Sequence, residues 1–379
     1  MRPLLTDFRA TRPRHEVSQV RLLAWLVDAH VEAETARAEL DGAARAAFAS
    51  RMAAAVKHCA CPPAQIGTRG VVIGDIGAAD WDANLIYDLR RHPHGQGSGA
   101  RTRLFAEEVD AYFTTAYADD PVAPHDLIHV TCTGYISPSG AQKLVSRRGW
   151  GGSTRVTHAY QMGCYAALPA VRIAAGFRAS ASQLEHQADI VHTELCSLHL
   201  DPTDHRIEQL VVQSLFADGL IRYSMVNDDG RSGLRLLALH ERILHDSSHA
   251  MAWMVADWGM QMVLGRDVPE RVASSLRAFV IELFQRAGLP IERLADSMLA
   301  VHPGGPRILD RVRDVLELDE GQLRTSREVL FDHGNMSSAT LPHIWMRLVD
   351  DARVPRGTLI PSLAFGPGLT VCGGLFEKT

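Results

Sequence analysis

His158-Ala-Tyr-Gln-Met-Gly163-Cys164-Tyr-Ala-Ala-Leu-Pro169-Ala-Val-Arg172 sets a thiol at a glycine corner between two apolar segments. Arg155 to Tyr160 reads as a short strand, and Tyr165 to Gly176 as a buried helix, so Cys164 sits on a strand-to-helix turn. Pro169 lacks an amide that the first helical turns would use, which predicts an irregular helix start. Working outward, Leu127–Cys132, Ala188–Cys196, Leu220–Val226 and Leu234–Leu239 read as strands, and 207–217 as a core helix. Toward the N-terminus, apolar spacing from about Ser18 to His58, broken at Asp41-Gly42, predicts two helices joined by a turn. A helix-like stretch runs from Pro138 to about Val145. Toward the C-terminus the scheme recurs loosely. A helix near Glu270–Ala287 precedes a strand, Ser297–Val301, and helices begin at Pro306, at Gln322 and after Asn335. Two strands flank Phe365 to Thr370. Alternating strands and helices predict an α/β protein. Arg90 to Gly99 reads as an exposed loop.

At 379 residues the chain predicts two domains or one duplicated domain, and 46% hydrophobic against 22% charged residues permits a large core. A net charge of -5 without a long basic run argues against nucleic acid as a partner. The N-terminus has no signal-peptide core, and Met251 to Leu264 is too short and too polar to cross a bilayer. A soluble, cytoplasmic protein is expected. Cys59, Cys61, Cys132, Cys164, Cys196 and Cys372 are too dispersed for a disulfide framework and are expected to be free thiols. His58-Cys59-Ala-Cys61 resembles half a metal site, but no second pair at zinc spacing follows, so no metal is expected. Gly95-Gln-Gly-Ser-Gly99 has no preceding strand and no following Lys-Ser/Thr, so it is no phosphate loop.

Three residues carry candidate chemistry. A helix N-terminus favours the reactive thiolate of Cys164, although a buried structural cysteine fits the local sequence too. His302 ends an apolar strand and precedes Pro303-Gly-Gly-Pro306, a turn over which a ligand can approach the backbone; a plain loop histidine is the alternative. Asn335, in Gly334-Asn-Met-Ser-Ser-Ala339, could equally cap the next helix. A cysteine, a histidine and an asparagine together can make an acyl-transfer site.

These contexts, with Leu215-Phe-Ala-Asp-Gly219 and Phe365-Gly-Pro-Gly-Leu-Thr370, resemble the type III polyketide synthases, the chalcone and stilbene synthase family. The likeness spans nearly the whole chain, and Phe365-Gly-Pro-Gly is its most family-specific piece. The resemblance implies a thiolase-like, five-layered αβαβα fold with two pseudo-repeats: residues 1–230 carrying the nucleophilic cysteine, and 231–379 carrying His302 and Asn335. It implies that Cys164 is loaded from an acyl-CoA and kept ionised by His302. His302 and Asn335 would stabilise the enolate formed when malonyl-CoA loses carbon dioxide. A homodimer is implied, with no cofactor beyond the CoA substrates.

Phe216 matches the family's gatekeeping phenylalanine; ordinary core packing is its alternative. A second gating ring, expected before Asp267-Val-Pro269, is replaced by Met262, which implies a more adaptable cavity. Cys132, Thr133, Glu194, Cys196, His199, Ser337 and Phe365 fall at cavity positions. Threonines are usual where Cys196 and His199 stand, and Ser137 replaces a methionine that often crosses to the partner subunit. Ala217 and Leu220 stand where glycine and alanine are usual. Arg51, Lys57 and Arg307 are candidate CoA contacts, or else solvated surface charges. The implied function is repeated decarboxylative condensation with release of a pyrone, a resorcinol or a related product. The alternatives are a single-round β-ketoacyl synthase III-like enzyme, with acyl groups from acyl carrier proteins, and a non-catalytic partner subunit.

Overall fold

The computed structural model describes residues 2–181 and 185–379. The chain opens with β1 (Pro3–Thr11) and β2 (His15–Ser18), then α1 (Gln19–Ala38), α2 (Gly42–Cys59), β3 (Thr68–Val71) and α3 (Ser98–Ala116). β4 (Asp126–Thr131), α4 (Gly140–Arg147), β5 (Arg155–Tyr160), α5 (Ala167–Ser180), β6 (Ala188–Leu195), α6 (Ile207–Leu215) and β7 (Asp218–Asn227) complete the first half. The second half contains β8 (Leu234–Ile243), β9 (Met251–Val255), β10 (Met260–Leu264), α7 (Val268–Arg286), β11 (Ala300–Val301), α8 (Pro306–Leu316) and α9 (Glu320–His333). It ends with α10 (Thr340–Asp350), β12 (Leu359–Gly366) and β13 (Thr370–Lys378).

Side chains set several of these boundaries. Ser18 caps α1 by accepting from Arg21 N–H, and Asp41 caps α2 by accepting from Ala44 N–H, which explains the break at Asp41-Gly42. Ser139 and Gln142 form a reciprocal capping box at the start of α4. The predicted strand 297–301 narrows to Ala300–Val301, and 251–264, weighed only as a membrane span, is the β9–β10 hairpin.

Hydrogen bonding runs through nine strands in the order β11-β12-β13-β8-β1-β7-β6-β4-β5. The two halves repeat a pattern: β4 and β6 pair in parallel and β6 with β7 antiparallel, as β11 and β12 pair in parallel and β12 with β13 antiparallel. β1 joins them, pairing with both β7 and β8 through the fully buried Leu4 and Leu5. This strand is invisible to an alternation rule, because its register shifts between Thr6 and Arg9 and Asp7 has φ 54°.

α5 packs on β4, β6 and β7 and also on β13, while α10 packs on β11, β1 and β7. These two buried helices therefore form a middle layer between the halves of the sheet. They also share a local design. Each follows a 3₁₀ turn, Gly163–Tyr165 or Ser337–Ala339, and each has proline at its third position, Pro169 or Pro342. The irregular start expected at Cys164 is thus present, and it is duplicated.

Candidate active site

The Gly163-Cys164 corner is shaped by the Phe365-Gly-Pro-Gly loop. Gly163 has φ 77°, where a side chain is strained, and a Cβ there would lie 2.9 Å from Pro367 Cδ. A Cβ on Gly366 would come within 2.3 Å of the Tyr165 ring. The two glycines let this loop close onto the turn that carries the sulfur. Cys164 is partly exposed, Phe365 is buried, and Phe365 lies at the end of β12 beside that turn.

β11 delivers His302 alongside the same strand, its N–H bonding Leu363 O at 2.8 Å. The imidazole is 1% exposed, and neither ring nitrogen has a hydrogen-bond partner among the described residues. Orphaned nitrogens this deeply buried are uncommon in structural histidines. Burial alone lowers the His302 pKa to about 3, so the ring is neutral.

Asn335 is held from the side of α6. Its N–H donates to Leu215 O at 2.9 Å, and its own carbonyl accepts from Ala217 N–H at 2.8 Å, bridging to Phe216. Asn335 Oδ1 accepts from Ser337 N–H at 2.9 Å, which orients the carboxamide and leaves its Nδ2 hydrogens without a partner among the described residues. Asn335 is not the N-cap of the next helix, a place taken by Ala339 without a side-chain bond; its oxygen closes a local turn onto Ser337 and its amide keeps free donors. Ser337 links Asn335 to the sulfurs. Its Oγ lies 3.1 Å from Cys132 Sγ, and its 3₁₀ turn packs against the one that carries Cys164.

Burial pushes the Cys164 thiol up to about 12, and the nearby Glu194 adds to this while Ser337 opposes it. This differs from the ionised sulfur that the resemblance implies. With the imidazole buried and the sulfur in a largely desolvated corner near Glu194, the neutral thiol and neutral imidazole are favoured.

The expected cavity residues cluster around Glu194 and the β9–β10 hairpin. Glu194, at the end of β6, is fully buried and accepts from Cys132 N–H and Thr133 Oγ1–H at 3.0 Å each, and from Ser338 Oγ–H. Cys196 is buried beside them, its thiol pushed well up by burial and then by Glu194. His199 Nε2–H donates to Thr133 O at 2.7 Å while Nδ1 accepts from Met260 N–H at 3.2 Å, which fixes a neutral tautomer. Trp253, paired with Met262 across the hairpin, donates to Cys132 O at 2.6 Å. Met262 is buried, and Phe216 is half-buried. Arg51 and Lys57 stand on the exposed face of α2 and Arg307 in the first turn of α8, none with an acidic partner among the described residues. Cys61 is structural: its N–H donates to Ser214 Oγ and its carbonyl accepts from Gln19.

Four contributors escaped the sequence reading. Arg69 is fully buried and donates to Phe216 O at 2.6 Å and Ser214 O at 2.8 Å, fixing the end of α6. Its cation caps the negative end of that helix. Asp218, although inside a quoted motif, was given no role. It accepts from Val72 N–H, Ser197 N–H and Ser197 Oγ–H, and burial raises its pKa to about 7. Ser338 and His192 join Glu194 to Tyr223. None of these has a local signal except Ser338, which lies beside Ser337 in the repeat of the Cys164 turn.

The model of the C-terminal domain of chalcone and stilbene synthases matches residues 235–378. The chain is 32% identical over 295 residues to 1,3,6,8-tetrahydroxynaphthalene synthase of Streptomyces coelicolor, covering 75% of this chain and 76% of that one. The solved structure of tetrahydroxynaphthalene synthase from Streptomyces coelicolor A3(2), described as a bacterial type III polyketide synthase, superposes with a TM-score of 0.79 at 25% identity over 99% of both chains. The C-terminal type III polyketide synthase domain of Steely1 from Dictyostelium superposes with a TM-score of 0.83 over 100% of this chain and 99% of that one, at 23% identity, a likeness of fold. On these matches the chain belongs to the type III polyketide synthases of the chalcone and stilbene synthase family, with their thiolase-like fold.

Proposed function

We propose that Cys164 takes an acyl group from an acyl-CoA and extends it with malonyl-CoA. As Cys164 Sγ attacks the thioester carbonyl, the thiol proton passes to His302, and the departing CoA sulfur collects it. Malonyl-CoA then loses carbon dioxide, and the resulting enolate oxygen is met by an N–H of His302 and the Nδ2 hydrogens of Asn335. The enolate carbon attacks the acyl thioester, the Cys164 sulfur departs, and the lengthened chain reloads for another round. Release is by cyclisation to a pyrone, a resorcinol or a related product.

One observation carries this reading. The one N–H of the unpartnered, neutral His302 ring and the Asn335 amide are donors held ready next to the Cys164 turn, with no acceptor among the described residues to satisfy them. A neutral imidazole donates without surrendering its proton prematurely, which suits an enolate. Phe216 and Met262 are proposed to gate the cavity, and Cys132, Thr133, Glu194, Cys196, His199, Ser337 and Phe365 to line it. Arg51, Lys57 and Arg307 would receive the CoA phosphates. Residues 1–230 and 231–379 are the proposed halves of a cytoplasmic homodimer subunit that uses no prosthetic group; no helix among the described residues is long and apolar enough to cross a membrane.

Incubation with malonyl-CoA and acyl-CoAs of graded length, read by product mass, tests the proposal. Products with two or more extensions support it, whereas single-extension products would point to the β-ketoacyl synthase III-like alternative. Cys164→Ala is expected to abolish acyl loading and product with an unchanged melting temperature. Full product from that variant would refute the assignment.

A further inference from the structure

The hairpin that carries Trp253 and Met262 stands apart from the nine-stranded sheet: among the described residues β9 and β10 pair with each other alone. A two-stranded ribbon is marginal by itself in water, so its side-chain anchors decide where it lies. Midway along it, Trp253 Nε1–H donates to Cys132 O at 2.6 Å, and Gln161 Nε2–H donates to Trp253 O at 3.2 Å. The tip, residues 256–259, is held by Ser98, whose Oγ–H donates to Ala256 O at 2.6 Å and whose N–H donates to Asp257 O at 2.9 Å. The Trp258 ring stacks with His94 at 6.5 Å and 12° between planes, and the Arg101 guanidinium lies over it, 5.4 Å from the ring centre.

The tip anchors converge on Arg101, near the start of α3. It is 1% exposed, and no carboxylate bonds it among the described residues. Its guanidinium donates instead to three main-chain carbonyls: His94 O at 2.5 Å, Gln96 O at 2.7 Å and Leu198 O. The first two fix the loop that leads to Ser98. The third fixes the turn that places His199, whose Nδ1 accepts from Met260 N–H at 3.2 Å. Arg101, the His199 turn and the hairpin tip thus close a ring of contacts around Gly259. A Cβ on Gly259 would lie 3.1 Å from His199 Nδ1 and 3.2 Å from Arg101 Cδ, so a side chain there would push the tip off its seat. Burying a cation without a counter-charge is costly. A planar fork can hold several carbonyls and stack on an indole at once, which an ammonium cannot.

We propose that Arg101 is a positioning residue that clasps the β9–β10 hairpin shut over the cavity and, through Trp258 and Gly259, limits how many extensions the growing chain receives. Trp253 and Met262 are paired across the ribbon, so they move together when the tip is freed. A lifted hairpin gives the chain room that the closed one denies it. The inference rests on the proposed condensation chemistry for its product readout, whereas the clasp itself is read without substrate.

Hydrogen–deuterium exchange of the whole protein, followed by mass spectrometry on peptides covering residues 251–264, tests the clasp. Trp258→Ala should make these amides exchange about tenfold faster, the factor expected for losing a desolvated cation–π contact. Trp258→Phe keeps a ring over the guanidinium and should restore most of the protection. Gly259→Ala, which wedges the tip away from His199 and Arg101, and Arg101→Lys, which keeps the charge but loses the fork, should both speed exchange. Given malonyl-CoA and an acyl-CoA, the loosened variants should release products with more extensions, while acyl loading of Cys164 stays at the wild-type rate. Should Arg101→Lys fail to fold, Trp258→Ala, at a partly exposed position, must give both changes. Unmoved exchange in Trp258→Ala would overturn the proposal, as would faster exchange with the wild-type set of product masses, or a Phe variant no better protected than the Ala variant. Absence of any product from the wild-type protein is a different result, and refutes the condensation chemistry; the clasp fails on exchange.

Discussion

Mild acid should unfold this protein, because five of its imidazoles are buried in neutral form. His30, His129, His192, His302 and His343 are each 3% exposed or less. Burial lowers His30 and His343 to about 4, and His129, His192 and His302 to about 3. In the unfolded chain each would titrate near 6.5. Their contribution is fully present above pH 6.5 and is lost as pH falls, because the unfolded state then binds protons that the folded state refuses. At pH 5.5 each costs about 1.4 kcal/mol, so the five together remove about 7 kcal/mol. Asp218 opposes them: its folded pKa of about 7 is raised, so its proton stabilises the fold as pH falls toward 4. Between pH 7 and 5.5 that returns about 2 kcal/mol. The net loss of about 5 kcal/mol is comparable to the whole stability of many proteins, and the histidines win by number. Urea unfolding followed by circular dichroism at pH 7.5, 6.5 and 5.5, at one protein concentration, measures it. A loss below about 1.4 kcal/mol, the share of one histidine, would refute the argument.

Other consequences follow from single contacts. Gly366→Ala drives a methyl into the Tyr165 ring and should cost about 1–3 kcal/mol. At roughly 0.8 kcal/mol/K of unfolding entropy for 379 residues, that is a fall of about 1–4 °C in melting temperature, together with slower acyl loading as the Cys164 turn is displaced. Arg69→Met strips donors from the Phe216 and Ser214 carbonyls; a loss of about 3 kcal/mol and a broader range of product masses are expected, checked by denaturation and mass spectrometry. Met262→Phe places a rigid ring beside Trp253, and product analysis should show shorter starters or fewer extensions, with stability changed by less than about 1.5 kcal/mol.

How much of this was legible in the chain depends on how local each cause is. Strand β5 and the irregular opening of the Cys164 helix were readable because they follow from neighbours along the chain: β-branched and aromatic residues, a glycine, and a proline at a fixed offset. Asn335 was readable as a candidate, but not the fixing of its amide, which depends on the backbone of Ser337. β1 was not readable, since a bulge breaks its alternation and its partners lie more than two hundred residues away. The sequence by itself determined which residues could do chemistry and on which corners they stand, because residue type and turn geometry are local properties. Only the tertiary structure decided where the protons rest. Burial favours the neutral thiol and imidazole, and the contacts around Glu194 depend on side chains that folding alone brings together.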